Sequence, residues 1–227
     1  MAIDLILSDS DKARITAAVT AVELHSAGEI VTIIAPKADD YAEVAGDWAA
    51  FIAFLALAAY AAFAPFYMRL IAWVMGGWHG PPTPRELLLF IFVTVLIKYF
   101  ATKLLLRWTP LRLWLTPRWV KRNRVRAQAL MVFKVTTQQR TTGKTGILIY
   151  LSDAEHMAEI IADEGIHAKV PDSVWGDAMA ALVAEVKQGR LADGMIAAIE
   201  QVGAVLAQHF PRDPNDVNEV PDRVIEL

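Results

Sequence analysis

Trp48 to Met68 reads WAAFIAFLALAAYAAFAPFYM, twenty-one residues without a charge. At 1.5 Å of rise per residue this stretch just crosses a bilayer core of about 30 Å. A second apolar stretch, LLLFIFVTVLIKYFAT, runs from Leu87 to Thr102. Between the two lies VMGGWHGPPTP, whose glycines and prolines stop a helix and make a turn. The pattern predicts a transmembrane helical hairpin over 47–103, with Pro65 kinking the first span or ending it early. Lys98 in the second span lies near Lys103, close enough to the membrane edge to snorkel.

The sequence on either side reads as water-soluble. Ser8 is placed to cap an amphipathic helix over 8–27, with Asp9 and Asp11 in its first turn and Ile15, Ala18, Val19 and Val22 on one face. Gly28 suits the left-handed position that ends such a helix. EIVTIIA, Glu29 to Ala35, is a β-branched run of strand length stopped by Pro36.

Beyond the hairpin, KLLLRWTPLRLWLTPRWVKR is too basic to span a membrane. Pro110 and Pro117 break it, and Trp108, Trp114 and Trp119 suit the headgroup region. A helix from Pro117 onward carries Val125, Ala129, Val132 and Phe133 on one face. GILIYL and AEIIAD read as two strands joined by SDAEH. A helix capped by Asp172 or Ser173 and a longer one ended by Pro211 follow, and the acidic tail reads as largely unpacked, with its Val and Ile able to dock locally. The predicted fold class is α/β, a small sheet flanked by helices and interrupted by a transmembrane hairpin. Its parts are 1–46 and 123–212 as one soluble domain, 47–103 as the hairpin, 104–122 as a basic interfacial segment and 213–227 as the tail.

Charge sets the orientation. No acid occurs between Glu86 and Asp153, an interval that holds twelve lysines and arginines. A basic block directly after an apolar span faces anionic lipid headgroups on the cytoplasmic side. The tryptophans and leucines among those arginines favour lipid over nucleic acid. The N-terminus has no signal-peptide pattern. The expectation is therefore a two-span inner-membrane protein with both termini and the soluble domain cytoplasmic. The absence of cysteine excludes disulfides, thiolate metal sites and cysteine nucleophiles.

No nucleophile-elbow, zincin or P-loop motif occurs, and the five histidines are scattered. Loop carboxylates are the remaining candidates for chemistry. Asp39 and Asp40 follow the first strand, Asp153 and Glu155 the second, and Asp163 and Glu164 the third. Asp39, Asp40, Asp153 and Asp163 would supply oxygen ligands to a hard divalent cation such as calcium or magnesium if those strand ends converged. Arg140 or Lys144 would then stabilise a phosphate. The hairpin linking the second and third strands works against convergence, because their C-terminal ends fall at opposite edges. As turn residues and helix caps, the same acids need no metal.

TGILIYLS, AEIIADEGIHAKVPDSVW, GRLADGMIAAIEQVGAVLAQHFP and NEVPDRVIEL, with AGEIVTII before the hairpin, resemble the TPM domain. The likeness is to the bacterial membrane branch, in which two spans interrupt the domain after its first strand. It implies a compact α/β/α sandwich. It also implies one of two functions: some plant thylakoid relatives are described as acid phosphatases, whereas animal relatives are accessory partners of membrane receptors. The expected function is a membrane-anchored accessory module for another membrane protein or complex. The alternative is a divalent-metal-dependent phosphatase at the membrane surface.

Overall fold

The computed structural model describes residues 7–74, 83–138, 145–212 and 222–226. It divides into two compact units, one formed by Met1–Asp39 with Arg118–Leu227, the other by Asp40–Pro117.

The first unit is built on a four-stranded sheet in the order β3-β2-β1-β4. Its strands are β1 (Glu29–Ala35), β2 (Gly146–Ser152), β3 (Met157–Ala162) and β4 (Ile225–Glu226). β1 pairs in parallel with β2, from Glu29 opposite Gly146 to Ala35 opposite Ser152. β2 and β3 form an antiparallel hairpin. All seven residues of both β1 and β2 are buried. Burial on both faces is why these strands read as continuous β-branched runs without polar alternation.

Alternation along the strands separates two apolar layers. Ile30, Ile34, Ile147, Ile149 and Leu151 face one way, onto α1 (Asp9–Glu23), α8 (Asp172–Val186) and α9 (Leu191–His209). Val31, Ile33, Leu148 and Tyr150 face the other way, onto Val125, Ala129 and Phe133 of α6 (Arg118–Phe133). A π-helical turn, Lys134–Gln138, continues α6. The unit is thus an α/β/α sandwich. Ser8 caps α1 through the Asp11 N–H at 3.1 Å, as the sequence predicts. A single-turn α7 (Glu164–His167) follows β3.

Two local expectations change. α1 ends at Glu23, and Gly28 is not its left-handed cap; Gly189, after α8, is the described glycine with positive φ. Gly28 is small for another reason: a Cβ there would lie 2.9 Å from both Leu206 methyls. α8 begins at Asp172 with Pro171 in the capping position, so neither Asp172 nor Ser173 is the cap. The tail's local docking takes the form of a strand: Ile225 and Glu226 form β4 beside Ile33 and Ile34. Glu226 also accepts from the Leu7 N–H at 3.1 Å and pairs with Lys12 at 2.8 Å. The middle of the tail, 213–221, lies outside the described residues.

The second unit holds α2 (Ala42–Ala62), α3 (Ala64–Val74), α4 (Pro84–Leu105) and α5 (Thr109–Leu115). α2 breaks at Phe63, and Pro65 sits in the first turn of α3, where its missing N–H costs no helical bond. α4 opens on a capping box in which Thr83 and Glu86 satisfy each other's backbone N–H. α2 packs against α4, tied by the Tyr60 hydroxyl donating to Thr94 Oγ1 at 2.8 Å. α2 and α4 are each long and apolar enough to cross a membrane. The turn predicted between them falls largely on residues 75–82, which lie outside the described residues. Pro110 falls in the first turn of α5 and Pro117 precedes α6, so both prolines interrupt the basic stretch as expected.

Candidate functional site

The parallel pair β1–β2 directs its C-terminal ends to one side of the sheet, where open α/β sheets offer a crevice to ligands. The β2–β3 turn closes over this end. Asp153 N–H donates to the Ala35 carbonyl at 3.0 Å, and Ala154 N–H to that of Pro36 at 2.9 Å. Glu155 then folds back. Its carboxylate accepts from Ala38 N–H at 3.1 and 3.2 Å and from the buried Ser152 hydroxyl. Glu155 is only 5% exposed, so these bonds hold a charge that would otherwise be costly to bury. Tyr150, buried on the same face, has its phenol pushed up to about 12, by burial first and by Glu155 second. His156 takes a left-handed backbone, φ 51°, to complete the turn.

Above this turn stands the first half of α6. Arg118, Lys121 and Arg122 share one helical face and, with Trp119, Glu155 and His156, line an open pocket of about 820 Å³. Arg124, on the same helix, pairs with Asp39 at 3.2 Å. Toward the far end of β3 a second depression, about 430 Å³, is lined by Arg126, Glu159, Asp163, His167 and Trp175. Burial raises the Glu159 carboxyl above its ordinary value, while Arg126 and Arg122 oppose the shift.

The sequence-predicted acids separate along the sheet. Asp39 and Asp153 lie at the C-terminal end of β1–β2. Asp163 lies at the opposite end, its N–H donating to the Gly146 carbonyl at 2.9 Å where β2 begins. Asp40 is the first residue of the other unit. Arg140 and Lys144 lie outside the described residues. Among the described residues no three histidines, aspartates or glutamates stand close enough to hold a metal ion. A calcium-type site needs six to eight oxygens, roughly, and the described donors do not assemble one.

A different acidic group gathers where no sequence pattern points. Glu23, Glu29 and Asp222, with Arg212, line a pocket of about 110 Å³ beside the end of α1. Burial, reinforced by Glu29 and Asp222 and opposed by the Ile30 N–H bond, pushes the Glu23 carboxyl up to about 8. Glu23 and Asp222 are almost two hundred positions apart. The local signal was a glutamate opening a strand whose one other polar residue is Thr32.

Comparison with known proteins agrees with this architecture. No curated protein matches the chain by sequence. The BA42 protein from the psychrophilic bacterium Bizionia argentinensis, solved by NMR, superposes with a TM-score of 0.57 at 18% identity. The superposition covers 100% of this chain and 99% of that one, and it is a likeness of fold. Residues 121–205, from the start of α6 into α9, match the family model of the TPM domain. The match spans the second and third strands and the helices around them, a similarity to the TPM domain in line with the resemblance read from those stretches.

Proposed function

We propose that the chain is a membrane-anchored TPM-domain module that serves another membrane protein or complex. One observation carries the anchoring: α4 buries none of its side chains, and Leu88, Phe92, Ile97 and Phe100 are all exposed. A water-facing helix of that composition is unfavourable, whereas in lipid the same surface needs no protein cover. The two flanks belong on one side of the bilayer. β1 precedes the apolar helices yet lies between β2 and β4, which follow them, so α2 and α4 must cross as a pair. The excess of arginine after α4 supports a cytoplasmic side for both flanks, as the positive-inside rule expects of an inner-membrane protein.

Within this reading the soluble unit binds rather than hydrolyses. Among the described residues no three acids or histidines stand close enough to hold a metal ion, which leaves hydrolysis without support, and the exposed Met131 and Val135 along α6 and its extension offer apolar surface to a partner. Two experiments test the reading. Alkaline extraction of membranes should leave the full-length protein in the pellet; release into the supernatant would refute anchoring. Aryl-phosphate turnover should not exceed that of Asp163→Ala and Asp40→Ala with calcium, magnesium, manganese or chelator. Metal-dependent turnover lost in either variant would establish the phosphatase instead.

A further inference from the structure

We infer that the pocket between α6 and the β2–β3 turn receives the phosphate-bearing headgroup of an anionic phospholipid. The inference rests on the membrane-anchored reading and deepens it. Arg118, Lys121 and Arg122 stand at i, i+3 and i+4, a spacing at which like charges repel. No described carboxylate forms an ion pair with any of the three, although Arg122 and Arg126 act on Glu159 at longer range. The pairing of Arg124 with Asp39, two residues along the helix, shows what the three lack. Glu155 is the acid lining the pocket, and its oxygens already accept from Ala38 N–H and Ser152. The pocket wall therefore carries unneutralised positive charge, with His156 beside it.

The rest of the wall fits a lipid better than a free ion. Trp119 is 69% exposed at the same pocket, and an indole with one apolar body and one N–H donor favours the headgroup layer. A volume of about 820 Å³ is larger than a phosphate needs and accommodates a headgroup with its glycerol. In sequence, Arg118 follows Pro117, the last residue of the apolar unit, so the chain itself tethers the pocket wall to the anchor. A guanidinium pair binds phosphate oxygens bidentately, which distinguishes this wall from a diffuse basic surface.

The test uses full-length protein in neutral maltoside micelles, offered equal phosphatidylglycerol and phosphatidylcholine, with retained lipid read by native mass spectrometry. Retention should favour phosphatidylglycerol by roughly tenfold. Arg118→Gln with Arg122→Gln should bring the ratio close to parity at unchanged melting temperature, and Lys121→Gln should lower it in part. Arg107→Gln with Arg112→Gln, in the other unit, should leave it intact. A preference that survives the first pair, or falls equally with the control pair, would overturn the inference. So would inorganic phosphate binding to this pocket without lipid selectivity. Release of the wild-type protein by alkaline extraction would refute anchoring, whereas lipid selectivity in micelles is read independently of it.

Discussion

Replacing Gly203 with alanine should destabilise the sheet-containing unit, although alanine is the better helix former. Gly203 lies in α9 against Val22 of α1. A Cβ at position 203 would sit 2.4 and 2.6 Å from the two Val22 methyls and 3.0 Å from its Cβ. Valine in a helix has one strongly preferred rotamer, so the methyls cannot swing aside and the helices must separate. Overpacking of this kind costs about 1–3 kcal/mol, and the propensity gain of alanine over glycine returns about 1 kcal/mol. The net expectation is a loss of about 1 kcal/mol, a melting temperature lower by about 2–4 °C. Gly176 in α8 is the control. A Cβ there meets nothing within 4 Å, so Gly176→Ala should stabilise by up to about 1 kcal/mol. Thermal unfolding of the detergent-solubilised protein, followed by intrinsic fluorescence, reads both. Val22→Ala added to Gly203→Ala should recover most of the steric loss in a double-mutant cycle. Stabilisation by Gly203→Ala, or additivity with Val22→Ala, would refute the close contact. It would also weaken the union of the two flanks, since α1 and α9 stand on either side of the apolar insertion in sequence.

Three further outcomes follow from the same structure. Glu23 titrates near 8 when folded and near 4.5 when unfolded, so the native state holds the extra proton between those values. Stability should fall as pH rises through that window and level off above it. Glu23→Gln, which keeps an acceptor for Ile30 N–H, should flatten the profile and gain on the order of 1–2 kcal/mol above pH 8 in this partly solvated site; an unchanged slope would contradict the account. Glu155→Ala should cost about 1–3 kcal/mol, because it strips the part-buried Ala38 N–H and the buried Ser152 hydroxyl of their acceptor. Hydrogen exchange should then accelerate at Ala38 but not at α9, and uniform acceleration would show global loss instead. Phe92→Arg, on the exposed face of α4, should reduce the membrane-inserted fraction by an amount equivalent to about 2.5–3.5 kcal/mol. Unchanged insertion would argue that this face does not meet lipid.

The sheet was legible because its central strands are buried on both faces. EIVTIIA and GILIYL have no polar alternation to confuse with a surface element, and β1 and β2 fall where those runs lie. β4 was not legible: two residues near the end of an acidic tail carry no periodicity, and only the pairing with Ile33 and Ile34 makes them a strand. Gly28 misled for a related reason. A glycine after a helix usually marks a left-handed cap, but here it answers to Leu206, nearly 180 positions away. The loop acids were correctly placed at strand ends, and the antiparallel turn of β3 sends Asp163 away from Asp39 and Asp153. The roles of Glu155 and Glu23 depend on burial, which a local sequence window does not encode.

The most direct test of the account is the sidedness of three single cysteines. The chain has no native cysteine, so Ala17→Cys in α1, Arg85→Cys at the start of α4 and Lys187→Cys after α8 give unambiguous labels at exposed positions. A membrane-impermeant maleimide applied to intact cells should label position 85 alone, with 17 and 187 reacting only after lysis. Labelling of 17 and 187 from opposite sides, or protection of all three until lysis, would contradict the proposed single cytoplasmic domain anchored by a membrane-crossing pair of helices.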